Sequence, residues 1–137
     1  HLPTCVIADL DGTLAIHNGR NPYDASQCET DSLNQPVFEV FKNASPSYCR
    51  ILVSARQEKD REPTERWLKA NKVQYTHLFM RETGDNRPDF VAKKEIYEQK
   101  ILPFWNVGFV LDDRNQVIDM LRADLGLTVL QVAWGEF

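Results

Sequence analysis

The sequence predicts an α/β fold built on a five-stranded parallel sheet with flanking helices, and two observations carry that expectation. Five short apolar runs rich in β-branched residues recur along the 137 residues. Polar turns and helix-like stretches separate them, and strand alternating with helix implies a parallel sheet with right-handed crossovers. The runs are "TCVIA" (4–8), "CRILVS" (49–54), "HLFM" (77–80), "VGFVL" (107–111) and "TVLQVA" (128–133). None alternates strictly between apolar and polar residues, which suits strands buried on both faces.

The helices are expected near 32–43, 62–71, 89–102 and 115–125. Pro36 lies inside the first, so that helix is expected to start later than the pattern suggests. Pro63 sits near the start of the second, where a missing N–H costs little. Gly126 stops the fourth. The segment 12–31 has no clear pattern. No internal repeat, linker or low-complexity run appears.

Composition narrows the function. A 42% hydrophobic content over this length suits a single domain spanning 1–137, with the abrupt opening suggesting excision from a longer chain. A net charge of −4 advertises no broad nucleic-acid or membrane surface. No stretch reads as a signal peptide or membrane span. Cys5, Cys28 and Cys49 form no CxxC pair. Buried free thiols at Cys5 and Cys49 and a reducing, cytoplasmic setting are expected.

In an open parallel sheet, ligands bind beyond the carboxyl ends of the strands. Those ends carry Asp9 and Asp11, then Ser54 and Arg56, then Arg81, then Asp112 and Asp113. Two aspartates at spacing two before Gly12-Thr13 would repel each other unless a cation lay between them. The converging acids suit a hard cation, and Mg2+ fits best because it takes oxygen ligands and bridges to phosphate.

Four short motifs now stand in order: Asp9-Leu10-Asp11-Gly12-Thr13, "ILVS" ending at Ser54, Lys93 or Lys94 near a helix start, and the pair Asp112-Asp113. Together they resemble the haloacid dehalogenase superfamily of phosphotransferases, a Rossmann-like fold. The segments "DGTLAIHNGRNPYD", "RETGDNRPDFVAKKEIY", "DDRNQVIDM" and "QVAWGEF" are more specifically similar to the 3′-phosphatase domain of bacteriophage polynucleotide kinase-phosphatase. Ala55 stands where a glycine is expected between the serine and arginine, and no GxxxxGK[ST] kinase loop occurs.

The resemblance implies a Mg2+-dependent phosphatase that acts on 3′-phosphate ends of DNA or RNA and on nucleoside 3′-monophosphates. It also implies a kinase or ligase partner, fused or separate. Asp9 would be the nucleophile and Asp11 the acid and base for the leaving oxygen and the water. Asp9, Asp112 and Asp113 with the main-chain carbonyl of Asp11 would hold the metal. Ser54, the backbone at Ala55, Arg20 and Arg56 would hold the phosphate, the arginines because their forks match its oxygens.

Helical periodicity through Phe90, Tyr97 and Ile101 selects Lys94 as the inward-facing lysine. The family register selects Lys93, which follows Asp89 by four residues and could pair with it. Lys93, oriented by Asp89, is the reading adopted. The histidines His1, His17 and His77 lack metal-ligand spacing and read as incidental. No room remains between the motifs for a separate cap domain, so a large substrate is expected to act as its own lid. Two other readings fit the same motifs: a phosphatase for a sugar phosphate or phosphoprotein, and a module that binds phosphorylated ends without cleaving them.

Overall fold

A computed structural model describes all residues, His1–Phe137. Its centre is a five-stranded parallel sheet of β1 (Thr4–Ala8), β4 (Cys49–Gln57), β5 (His77–Arg81), β6 (Asn106–Asp112) and β7 (Val129–Gln131), in the order β5-β4-β1-β6-β7. A small antiparallel ribbon joins β2 (Ala15–Ile16) to β3 (Ser32–Leu33). The helices are α1 (Gln35–Lys42), α2 (Arg61–Ala70), α3 (Asp89–Ile96) and α4 (Asn115–Asp119). Each of the last two runs on into a wider π-helical turn, Tyr97–Ile101 and Met120–Asp124. Both predicted helices are therefore present over nearly their full length. As Pro36 requires, α1 begins only at Gln35.

Alternation along β1 explains why its run is apolar from Cys5 to Ala8. Val6 and Ala8 face one core with Phe38, Phe41, Trp67 and Leu68 from α1 and α2. Cys5 and Ile7 face the other core with Ile96, Tyr97, Val117 and Leu121. A strand covered on both sides has no position left for a polar residue until it ends. The first polar side chain after it is Asp9.

Connections run outward from β1 in opposite directions: toward β4 and β5 on one side, and toward β6 and β7 on the other. The crevice between the ends of β1 and β6 is thus the switch point where ligands bind in such sheets. No helix is long and apolar enough to cross a membrane.

Two details of the sheet matter for the site. The β4–β5 register shifts between Ser54 and Gln57, so Ala55 and Arg56 form a bulge. Bulges re-aim side chains, and here Arg56 is directed inward. The segment 12–31, without a readable pattern, folds through β2 and a 3-10 helix at Ala25–Thr30 into β3. The Trp67 indole pins it by donating to the Asp31 carbonyl at 2.9 Å.

Candidate active site

The strand ends open into a cleft of about 720 Å³, lined among others by Asp9, Asp11, Ala55, Arg56, Lys93, Asp112 and Asp113. Asp9 is 8% exposed. Its Oδ1 lies 2.9 Å from Lys93 Nζ, and the same ammonium lies 3.0 Å from Asp112 Oδ2. Burial, with Asp112 adding to it, pushes the Asp9 carboxyl well above the usual range despite the opposing pull of Lys93. Desolvation would lower the lysine, but Asp112 and Asp9 outweigh it and raise Lys93 above its ordinary value. Lys93 is therefore an ammonium at neutral pH.

The choice between adjacent lysines comes down to which residues form the buried stripe of α3. That stripe is Ala92, Lys93, Ile96 and Tyr97, followed by Ile101. Phe90 is 37% exposed and lies outside it. The periodicity that favours Lys94 counts Phe90 as core. Lys94 instead pairs at the surface with Asp124 at 3.3 Å.

Asp89 requires a correction. Helical spacing has it orienting Lys93, but its carboxylate takes Arg81 Nη2 on Oδ1 and Arg114 Nη1 on Oδ2, the latter at 2.8 Å. Two arginines from the neighbouring strand ends outcompete the lysine one turn along the helix. Asp89 thereby ties α3 to the ends of β5 and β6.

Asp9, Asp112 and Asp113 bring carboxylate oxygens within 4.8 Å of one another. With Lys93 as the one cation bonded among them, three ionised carboxylates would leave negative charge uncompensated, and like charges this close cannot all ionise cheaply. Burial and Asp112 push the Asp113 carboxyl up accordingly. This oxygen-rich, charge-deficient set fits a divalent hard cation. Asp112 is already occupied: Oδ2 meets Lys93, while Oδ1 accepts the backbone N–H of Asp113 at 2.7 Å and of Arg114 at 3.3 Å. Asp113 accepts Thr13 Oγ1 at 3.2 Å and is the freer of the two to ligate.

Two glycines make room for this corner. Gly12 has φ +81°, and a Cβ there would lie 2.2 Å from Asp113 Oδ2. A Cβ on Gly135 would lie 1.8 Å from the Asp113 carbonyl oxygen. Neither position tolerates a side chain.

Asp11 faces the other way. Its Oδ1 accepts Arg20 Nη2 at 3.0 Å and Arg56 Nη2 at 2.8 Å and lies 2.9 Å from His17 Nε2, while Oδ2 accepts Arg56 Nε at 3.0 Å. Burial alone would raise this carboxyl, but the His17 and Arg56 hydrogen bonds prevail and hold it well below the carboxylate range. The Asp11 side chain thus stands apart from the three-carboxylate group.

Behind Asp11 lies Asp31, which the sequence does not single out. Its buried carboxylate accepts Arg20 Nε at 2.8 Å, Arg20 Nη2 at 3.0 Å and Arg56 Nη2 at 3.3 Å. Both guanidinium groups are thus fixed from behind and present Asp11 to the cleft. Asp11, His17 and Asp31 also cluster closely enough to suggest a metal site. Two guanidinium groups already fill that space, so no cation fits there. His17, which reads as incidental in the sequence, is a direct neighbour of Asp11. Neither His17 nor Asp31 carries a sequence signal, because each acquires its role only when the segment 12–31 folds back.

Ser54 is fully buried behind the cleft wall, and its Oγ accepts the Arg56 backbone N–H at 3.0 Å. It braces the bulge, and Ala55 rather than Ser54 lines the cleft.

Comparison with known proteins fits this geometry. Residues 3–137 match the family model described as the polynucleotide kinase PNKP phosphatase domain. Two solved structures of a Pnkp1/Rnl/Hen1 complex, one described as an RNA repair complex, each contain a chain that is 49% identical, with a TM-score of 0.97 over 99% of this chain. This chain covers 44% and 48% of those chains. A protein of Autographa californica nuclear polyhedrosis virus, described as a putative bifunctional polynucleotide kinase/RNA ligase, is 31% identical over 122 residues, 86% of this chain and 18% of the viral one. The chain spans less than half the length of each of these relatives. By motif, fold and match along almost its whole length, the chain belongs to the phosphatase domain family of polynucleotide kinase PNKP, within the haloacid dehalogenase superfamily.

Proposed function

We propose that this chain is a divalent-metal-dependent phosphatase that removes 3′-phosphates from nucleic-acid ends and nucleoside 3′-monophosphates. Its partners would be kinase and ligase activities in RNA repair. The observation that carries this reading is the juxtaposition of Asp9 on Lys93 with Asp11 in the fork of Arg56. One carboxylate is placed to act as nucleophile once a cation joins Lys93 in holding it ionised. The other marks where the Arg56 guanidinium on the cleft wall, with Arg20 behind it, can receive a phosphate.

Uncatalysed phosphate-monoester hydrolysis is among the slowest reactions known, and enzymes accelerate it by up to about 10²¹-fold. Charge neutralisation and a two-step path are both required. A Mg2+ ion held by Asp9, Asp113 and the Asp11 carbonyl, with Asp112 oriented by Lys93, would supply charge stabilisation for the phosphoryl group.

The chain's own residues do the rest. Asp9 attacks phosphorus and forms an aspartyl-phosphate as the bond from phosphorus to the 3′ oxygen breaks. Lys93 keeps Asp9 oriented and favours its ionised form. Arg56 and the Nη2 of Arg20 turn from Asp11 to the phosphoryl oxygens, whose geometry suits a guanidinium fork. Nε of Arg20 stays on Asp31, and its Nη1 stays on the turn at 21–24. Freed from two cations, Asp11 regains its affinity for a proton, takes one up from solvent, gives it to the departing 3′ oxygen and later takes one from the attacking water. That water displaces Asp9 and releases inorganic phosphate. The arginines thus hold Asp11 ionised while the site is empty and release it when phosphate arrives.

A panel of substrates with Mg2+ tests the proposal. A 3′-phosphorylated oligonucleotide should be dephosphorylated far faster than its 5′-phosphorylated counterpart. Equal turnover of the two ends, or turnover of sugar phosphates alone, would point to another phosphomonoester.

A further inference from the structure

We infer that Tyr23 is a stacking platform for the base of the 3′-terminal nucleotide, an inference that rests on the 3′-phosphatase reading above. The ring is 96% exposed, so the fold makes almost no use of its apolar surface. A single exposed aromatic side chain needs no explanation by itself. Two further observations distinguish this one.

The first is its position. Tyr23 lines the same cleft as Asp9, Asp11 and Arg56, and Ile16 and Pro22 from the same segment, with the C-terminal Phe137, also line it. The rest of the lining is largely charged, so this lip offers an apolar surface next to a phosphate site. A nucleotide bound through its 3′-phosphate has its base only one sugar away.

The second observation is rigidity. Asn21, Pro22, Tyr23 and Asp24 form a tight turn closed by the Asp24 N–H on the Asn21 carbonyl at 3.0 Å. Asn at the first and Pro at the second position are the residues such a turn favours. The Asn21 side chain accepts the Tyr23 N–H at 2.9 Å. Arg20 Nη1 donates to the carbonyls of Asn21 at 3.1 Å and Asp24 at 3.2 Å. The same Arg20 reaches Asp11 through Nη2. One arginine therefore fixes both the catalytic rim and the turn that displays the ring. An aromatic side chain carried on a hydrogen-bonded turn beside a phosphate site matches the device by which proteins bind single-stranded ends without reading sequence. Stacking needs only a π-face, so all four bases are accepted.

Steady-state kinetics on two 3′-phosphorylated oligonucleotides test this, one ending in a normal nucleotide and one in an abasic sugar. The wild type should show a lower KM for the end that carries a base. Tyr23→Ala should raise KM for that end on the order of 5- to 100-fold, the range that loss of one stacked base implies, with kcat retained. The advantage over the abasic end should collapse. Tyr23→Phe and Tyr23→Trp should retain it, because the ring and not the hydroxyl does the binding. A wild type with equal KM for both ends, or a Tyr23→Ala loss equal on both, would overturn the platform while leaving the phosphatase reading standing. A wild type inactive on both ends would overturn the phosphatase reading itself.

Discussion

Arg56 grips Asp11 with both prongs of its guanidinium, Nε to Oδ2 at 3.0 Å and Nη2 to Oδ1 at 2.8 Å. The group proposed to donate a proton is thus held as a carboxylate by the group proposed to bind the substrate. On the proposed mechanism, Asp11 would act as an acid only once phosphate draws the arginine away. That coupling would give the arginine two proposed tasks, binding phosphate and releasing Asp11.

Arg56→Ala should therefore lower kcat and kcat/KM together, by roughly 10²–10³-fold or more, the scale for loss of one charge-stabilising donor. Arg56→Lys should rescue poorly, because a point charge cannot replace the fork. Steady-state kinetics on a 3′-phosphorylated oligonucleotide decide it. Near-normal constants in Arg56→Ala would place the arginine outside the chemistry.

Asp31 is expected to matter through stability first. Its removal leaves two buried guanidinium groups short of a counter-charge, and breaking a buried pair in this way costs about 3–5 kcal/mol. Thermal or urea unfolding of Asp31→Ala should show a loss of that order. Asp31→Asn should lose less, because it keeps a hydrogen-bond acceptor. Equal stability across wild type and both variants would show that the arginines need no support from behind.

Much of this rim is legible in the sequence, and the reasons are local. Asp9 follows a strand that is apolar and buried from Cys5 to Ala8, and Asp112 and Asp113 end another, so topology alone brings them to one edge. The bulge at Ala55 and Arg56 is invisible there, because the apolar run ends at Ser54 and the register shift depends on β5. His17 and Asp31 escape notice because two-residue strands and a 3-10 helix leave no periodicity to read. Asp89 misleads for a different reason: helical spacing correctly places it one turn before Lys93, but spacing carries no information about Arg81 and Arg114 from other strands. Phe90 misleads because an exposed aromatic residue counts toward an apolar stripe in sequence and not in space.

Removal of divalent metal should abolish turnover. EDTA is expected to silence the enzyme and Mg2+ or Mn2+ to restore it. Ca2+ should support little turnover, since its looser and larger coordination shell holds the reacting groups less firmly. Full activity in EDTA, measured as phosphate release, would mean that Lys93 alone balances the three carboxylates.

The phosphatase reading rests most heavily on Asp9 as the group that receives the phosphoryl from a 3′ end. Rapid acid quench of the enzyme mixed with Mg2+ and an oligonucleotide labelled in its 3′-phosphate measures this directly. The label should appear on the protein, map to the peptide containing Asp9 and be absent from Asp9→Asn. Label transferred to Asp9→Asn as readily as to wild type would contradict that role for Asp9, as would rapid phosphate release by the same variant.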